Sequence, residues 1–401
     1  MSIGSTIKTI LTAQGLWGAV IATISFVAIG FFATRKGYFT KETNGRISKF
    51  IIVFILPFLC LWAFMEPAKT EHLKDLGWVI GASVVYYLVM GVISWLVVKY
   101  WPQLVSKNIT AKANALYEQK LAAGQIEYTK AAHREYYLDI YKQKLITSQM
   151  MIMYGSLQFF AYPLVAATTG IIFNDFAPAL LQIWCIPYMI GTFSHCKLMY
   201  STDKEQKISV KSVAKSVFSP MMIILFISLF LFLIQFAINP VVQKHLATNA
   251  NAQKWLYNFW ASAKGNLSAL SGTVAKAVGV ISPLAWIVIG GSLAASKLKE
   301  AFKDVTVWIT TVRKLFVLPL VIFLLTMILV STGAISASAG TLLVLLAATP
   351  PATVCMVYCV AYNHPHTAFT AQVSSLSTLL ALVAMPLWLV ISHVTFLAIA
   401  K

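Results

Sequence analysis

Long stretches of this sequence are apolar over about twenty residues and contain no charged side chain, as residues 76–98 and 221–238 illustrate. The hydrocarbon core of a bilayer is about 30 Å thick, and a helix needs about 20 apolar residues to cross it. The runs are continuous and lack the alternation of barrel strands, and a helix satisfies its own backbone groups in lipid. The sequence therefore predicts an all-α polytopic membrane protein.

The composition supports this class. Hydrophobic residues make up 59% of the chain, charged residues 11%, and the mean hydropathy is +0.76, values too apolar for a water-soluble domain of this size. The net charge of +18 comes from basic residues between the apolar runs rather than on one soluble face, so we predict no nucleic-acid partner. The five cysteines fall in or beside apolar runs, without a disulfide or zinc spacing.

The apolar runs predict ten membrane-spanning helices. Prolines lie in spans two, four and five and again in spans seven, nine and ten, which indicates two five-helix repeats, residues 1–212 and 213–401. Because each repeat has an odd number of spans, the second repeat must be inverted relative to the first. The predicted spans are 14–34, 47–65, 76–98, 148–173, 176–196, 213–238, 275–296, 314–332, 338–361 and 369–398.

The distribution of basic residues predicts the orientation. One set of loops contains 23 of the 31 Lys and Arg residues, including Lys314 at the start of span eight. The positive-inside rule makes these loops cytoplasmic, so both termini are predicted to face outside the cell membrane. One cytoplasmic segment, residues 103–146, predicts a solvated helical hairpin. This insert either lies on anionic lipid or binds a regulatory partner, and the sequence leaves both open.

Motifs of catalytic and cofactor sites are missing from the sequence: we find no HExxH, GxSxG or Walker lysine loop, and no metal-type cluster. We therefore predict a protein that is not an enzyme and carries no cofactor or metal. The acidic residues also avoid the middles of the predicted spans. Since buried carboxylates are the usual proton and sodium carriers of pumps and symporters, a carboxylate ion site is disfavoured.

Two proline breaks at corresponding positions of the two halves indicate a binding site. Span four should break within residues 155–163 and span nine within 347–353, because proline removes a backbone hydrogen bond and clashes with the preceding turn. Half-helix N-termini at such breaks favour an anionic group, so a small carboxylate is the predicted substrate. The candidate site residues are Pro163, Pro350 and Pro351, with the polar residues Ser156, Gln158, Tyr162, Gln182, Thr349 and Thr353.

Four segments carry a resemblance to a known family: GYFTKETNGRISKFIIVFILPFLCLWAF at 37–64, SPLAWIVIGGSLA at 282–294, RKLFVLPL at 313–320 and TPPATVCMVYCVAYN at 349–363. They resemble the auxin efflux carrier family, which includes plant auxin exporters and bacterial malate permease-like proteins.

This resemblance implies ten helices in two inverted repeats, with helices four and nine broken and crossed at the site. Helices one, two, six and seven would form a scaffold, often of a homodimer, and the other six would carry the substrate in an elevator-like movement. The resemblance also makes Gln182 and Asn363 candidate ligands.

The fourth helix departs from the family pattern. Where the family has a motif like NTGFLGxP, this chain reads SLQFFAYP, with Ser156 at the asparagine position and Ala161 at the glycine position. Gln158 is a candidate replacement for the lost amide. Besides an organic-anion carrier, two alternatives stay open: a sodium-coupled symporter resembling bile acid carriers, and a sensor or scaffold that binds a partner through the insert.

Overall fold

A computed structural model describes residues 12, 14–100, 108–200, 218–248, 268–295, 298–362 and 364–400. All regular elements in these ranges are helical. Four of the elements are single π-helical turns, at Ile51–Ile55, Leu157–Ala161, Thr192–Cys196 and Arg313–Val317. The α-helices are α1 (Gln14–Arg35), α2 (Lys41–Phe50), α3 (Leu56–Phe64), α4 (Thr70–Tyr100), α5 (Asn108–Ala122), α6 (Lys130–Met153), α7 (Tyr162–Thr168), α8 (Ala177–Gly191), α9 (Lys197–Tyr200), α10 (Pro220–Thr248), α11 (Ser268–Ala294), α12 (Leu298–Ala301), α13 (Val305–Val312), α14 (Leu318–Ser331), α15 (Ala337–Ala347), α16 (Thr353–Ala361) and α17 (Thr367–Ile399).

Seven helical stretches in the described ranges are long and apolar enough to cross a membrane. They coincide with predicted spans one, two, three, six, seven, eight and ten, which confirms a polytopic helical membrane protein. The regions of predicted spans four, five and nine contain shorter helices instead. Two of these are the apolar helices Leu157–Thr168 and Ala337–Ala347. The arrangement as ten spanning helices in inverted repeats remains a prediction.

Three of the π turns lie directly before a proline. The N–H groups of Leu56, Tyr162 and Leu318 each donate to the carbonyl five residues earlier, and each is followed by a proline, which cannot continue the regular bonding pattern. At Pro319 the carbonyl four residues earlier, that of Leu315, instead accepts a hydrogen bond of 2.9 Å from the Trp388 indole of α17. The proline thus widens the helix and frees an acceptor for a neighbouring helix.

Helices α1 and α11 pack with their backbones in contact. A Cβ atom added at Gly30 would lie 1.9 Å from the carbonyl oxygen of Ile287, and one added at Gly290 would lie 1.9 Å from that of Val27. Small residues allow membrane helices to approach this closely and gain van der Waals contact. Because each of these glycines faces backbone atoms of the other helix, no larger side chain fits at either position.

The insert forms the predicted helical hairpin over its described part, and its second helix continues into the membrane region. The stretch that we assigned partly to the insert and partly to span four is one helix, α6. Its residue Lys144 is buried and donates to the Thr306 hydroxyl at 2.8 Å, and its ammonium lies 3.8 Å from Asp304 and 4.5 Å from the ring of Phe369. Lys144 therefore attaches the second helix of the hairpin to α13 and α17.

Candidate functional site

The two interrupted helices meet at a short antiparallel bridge. Helix α6 ends at Met153 and α15 ends at Ala347, and the extended residues that follow them pair through Gly155 and Pro351. The N–H of Ser156 donates to the carbonyl of Pro350 at 2.7 Å, and the N–H of Ala352 donates to the carbonyl of Tyr154 at 2.9 Å. We call residues 154–156 and 350–352 the crossing. Its two segments are bonded to each other through the backbone.

Side chains satisfy the carbonyls at the ends of the helices that enter the crossing. The Tyr86 hydroxyl of α4 donates to the carbonyl of Met153 at 2.9 Å, and the Thr349 hydroxyl donates to that of Leu346 at 2.7 Å. The last carbonyls of a helix have no partner within the helix, so such bonds stabilise the break. At its other end α15 is fixed by Asp75, whose carboxylate accepts bonds from the N–H and hydroxyl of Ser336 at 3.0 and 2.6 Å.

Gly155 makes the close approach at the crossing possible. A Cβ atom at this position would lie 2.1 Å from the Thr349 hydroxyl oxygen and 3.2 Å from the Nζ atom of Lys314. Thr349 is fully buried, so it has little room to move away. The glycine is therefore required by close packing, and its contacts bring a hydroxyl and an ammonium group to the same point of the crossing.

Lys314 is the charged group at the crossing. It lies in the π turn that precedes Pro319, its side chain is 1% exposed, and its Nζ atom lies beside Gly155. Within the described ranges its ammonium group forms no hydrogen bond and no ion pair. Burial of an ammonium group is costly unless an anion or a polar acceptor compensates for it. The site therefore favours a negatively charged group close to Gly155.

Two side-chain amides form a second polar feature beside the first break. The amide nitrogen of Gln158 donates to the Gln182 oxygen at 3.2 Å, and the reverse bond measures 3.4 Å. Two thiols flank the pair: Cys185 accepts from the Gln158 nitrogen at 3.2 Å, and Cys60 donates to the Gln182 oxygen at 3.6 Å. We call Gln158 and Gln182 the amide pair. It joins the π turn after the crossing to α8 and α3.

Comparison with known proteins identifies the family. A model of the family described as membrane transport protein, which is the auxin efflux carrier family, matches residues 16–117 and 105–389. The chain belongs to the auxin efflux carrier family. A search of curated proteins finds no match.

Membership of the auxin efflux carrier family confirms the resemblance that we inferred from the four sequence segments, and makes the chain a membrane transport protein. The structure brings only some of the predicted site residues together. Ser156, Pro350 and Pro351 form the crossing, Thr349 packs against it, and Gln158 and Gln182 form the amide pair. Tyr162 and Pro163 begin α7 and are buried, whereas Thr353 is exposed at the start of α16. Asn363 lies outside the described residues.

Sequence reasoning missed Lys314 in this auxin efflux carrier. The charge count placed it among cytoplasmic loop residues, and the structure corrects this, since Lys314 lies within the membrane-length stretch Val305–Ser331 and is buried. The available signal was the proline five residues later, which widens the helix at this lysine. Among the described residues no group of three or more His, Cys, Asp or Glu is placed to hold a metal ion.

One histidine close to the far end of α16 has a shifted pKa. Burial lowers the pKa of His364 from 6.5 to about 4, because a low-dielectric environment disfavours the charged imidazolium. The backbone N–H of His364 donates to the carbonyl of Cys359 at 2.8 Å, and the Tyr200 ring packs edge-on against its imidazole. His364 thus ties the end of α16 to α9 in its neutral form.

Proposed function

We propose that this member of the auxin efflux carrier family is a secondary transporter of a small organic anion, a carboxylate that binds at the crossing. The buried ammonium group of Lys314 beside Gly155 carries this proposal. No described residue compensates the positive charge of Lys314. A bound carboxylate would provide the missing negative charge. An inorganic or organic cation at the same point would be repelled.

The helix ends at the crossing support the same preference. The short helices Leu157–Thr168 and Thr353–Ala361 both start there, and the residues that precede them, Ser156 and Ala352, form no side-chain hydrogen bond to the first turn. The N-terminal N–H groups and the positive end of the helix dipole favour an anion. A carboxylate between them would interact with both halves of the site at once.

The packing supports an elevator-type mechanism for this transport. The two broken helices are hydrogen-bonded to each other at the crossing, so a movement of one would carry the other. Helices α1 and α11, by contrast, are in backbone contact and are suited to a fixed scaffold. We infer that the crossing moves against this scaffold with the bound anion, within ten helices arranged as two inverted repeats, residues 1–212 and 213–401.

Lys314 also bears on the coupling ion. A protonated lysine at the crossing disfavours a sodium ion at the same place, because the two cations would repel at short range in a low dielectric. We therefore propose transport that does not depend on sodium, in preference to a symporter of the bile-acid-carrier type. The location that we propose is the cell membrane, with both termini outside.

Counterflow in proteoliposomes tests the proposed function. Vesicles with purified protein are loaded with one compound from a panel of mono- and dicarboxylates, including malate, a primary amine and a neutral sugar, with and without a sodium gradient. We expect saturable exchange of at least one carboxylate, no exchange of the amine, and no effect of sodium. Exchange of the amine alone, or sodium-dependent uptake, would overturn the proposal. Carboxylate binding without exchange would favour the sensor alternative.

A further inference from the structure

A long apolar cleft lies beside Tyr154 of the crossing. It has a volume of about 610 Å³ and lies between α4 and α8, next to the end of α6. Helix α4 contributes a stripe of residues from Ile80 to Trp95, and α8 contributes Ile186, Pro187 and Ile190. At a rise of 1.5 Å per residue, the stripe is about 22 Å long. The cleft is thus long and lined almost entirely by apolar side chains.

The cleft opens toward the surface that faces lipid. Leu88, Val92 and Trp95 line it and have exposed fractions of 65%, 56% and 56%, on a helix long and apolar enough to span the bilayer. Apolar side chains exposed on such a helix contact lipid tails. An occupant of the cleft can therefore enter sideways from the hydrocarbon phase, without passing through water.

Tyr87 and Tyr154 line the inner wall of the cleft, and Tyr188 packs against both rings. The rings of Tyr87, Tyr154 and Tyr188 pack with centroids 5.6 to 6.2 Å apart, and the Tyr154 hydroxyl is hydrogen-bonded to His195 Nδ1 at 3.2 Å. Gly191 accommodates this hydroxyl, because a Cβ there would lie 2.7 Å from it. A small carboxylate in the cleft would have apolar neighbours, which argues against a second substrate site.

The end of the cleft at Trp95 has the features of a membrane interface. The ammonium of Lys99 lies 4.8 Å from the ring of Trp95 and 4.9 Å from that of Tyr100. Tryptophan and tyrosine concentrate at the level of lipid headgroups, and lysine there attracts anionic lipids. The apolar stripe therefore runs from the interior of the bilayer to a cationic group at its surface.

We propose that this cleft binds one acyl chain of an anionic membrane phospholipid, with the phosphate of its headgroup at Lys99. The bound chain fills the space against Tyr154, whose carbonyl accepts the N–H of Ala352 in the crossing. The lipid therefore packs against one of the two segments of the crossing. This site is independent of the proposed function, because it needs only the cleft and the interfacial lysine.

Photolabelling of the unmodified protein provides the first test. The protein is reconstituted with phosphatidylglycerol that carries a diazirine at the middle of one chain, and in parallel with the matching phosphatidylcholine probe. We expect labelled peptides concentrated around Gly91 and Ile190, with at least fivefold less labelling by phosphatidylcholine. Labelling spread evenly over the lipid-facing surfaces, or equal labelling by both probes, would overturn the proposal.

Substitution of glycine by phenylalanine provides a second test with a matched control. Gly91 lines the cleft, whereas Gly81 lies on the same helix outside it, and an added Cβ would meet no atom within 4 Å at either position. Native mass spectrometry should show one retained anionic phospholipid fewer for G91F than for G81F. Equal numbers of retained lipids in the two variants would contradict the proposal. Loss of the adduct through competition by a transported carboxylate would assign the cleft to substrate instead.

Discussion

The contact between α1 and α11 and the crossing are both places where two chain segments approach closely through glycine. At the first, Gly30 and Gly290 bring two uninterrupted helices into backbone contact. At the second, Gly155 brings together two interrupted helices, a buried hydroxyl and a buried ammonium. Glycine thus provides pure packing in one region and a polar site in the other.

The difference lies in what the backbone does at the contact. Around Gly30 of α1 and Gly290 of α11 the helices are continuous and their backbone groups bond within their own helices, so the contact offers a ligand no free donor or acceptor. At the crossing both helices end, and the extended residues that follow bond to each other. Breaking helices inside a membrane is costly, and here it yields a site. The first region is therefore suited to rigidity and the second to binding.

The largest expected effect is at the rigid contact. We expect Gly290→Leu to destabilise the protein by at least about 3 kcal/mol, because the added side chain overlaps backbone atoms that cannot move without separating the helices. Thermal unfolding in detergent, followed by size-exclusion chromatography, measures the loss. The control is Gly279→Leu on the same helix, where an added Cβ would meet no atom within 4 Å. Equal unfolding midpoints for the two variants would refute the backbone contact.

At the crossing, the loss of stability caused by a larger residue in place of glycine should be partly restored by a second substitution. Gly155→Ala overlaps the hydroxyl of Thr349, and we expect a cost of about 1–3 kcal/mol together with loss of counterflow. Thr349→Ala removes the hydroxyl, so the double variant should recover at least half of the lost stability. Additive effects of the two substitutions in a double-mutant cycle would show that these residues do not contact each other.

The amide pair should behave as one unit. Gln158→Leu or Gln182→Leu alone leaves a buried amide without its partner, which costs about 1–3 kcal/mol, whereas replacing both removes the unpaired group. We expect the double variant to be less destabilised than the sum of the single ones. Chemical or thermal unfolding of the four proteins measures this coupling. A coupling free energy near zero would mean that the two amides do not depend on each other.

The smallest expected effect is on the pH dependence of the free energy of unfolding. It involves only the region of the crossing, where α16 begins, because α1 and α11 contain no histidine. The pKa of His364 is about 4 in the folded protein and 6.5 without burial. Between these values the unfolded chain binds the proton and the folded chain does not, so the free energy of unfolding decreases as pH falls from 6.5 toward 4. His364→Gln should weaken this dependence of the unfolding midpoint. An unchanged dependence would exclude His364 as its source.

The sequence alone was sufficient for the membrane class and for the break at Pro350 and Pro351, because apolar length and proline act locally. The first break begins slightly earlier than predicted, since α6 ends at Met153, ten residues before Pro163. The sequence also predicted the helical hairpin of the insert, although not that α6 continues from the hairpin to the crossing. The pairing of Gln158 with Gln182 depends on how α8 packs, which no local pattern indicates. The charge pattern assigns Lys314 to a loop because an apolar run begins beside it. Only packing reveals that this lysine is buried.

The central claim is that Lys314 binds the anion at the crossing. Equilibrium binding of the radiolabelled carboxylate that shows the fastest counterflow tests it directly, with purified wild type, Lys314→Met and, as control, Lys303→Met, which removes an exposed lysine before the same stretch of helices. The claim predicts at least a hundredfold weaker binding for Lys314→Met, since a desolvated charge pair is lost, and unchanged binding for Lys303→Met. Wild-type affinity in folded Lys314→Met protein would contradict it.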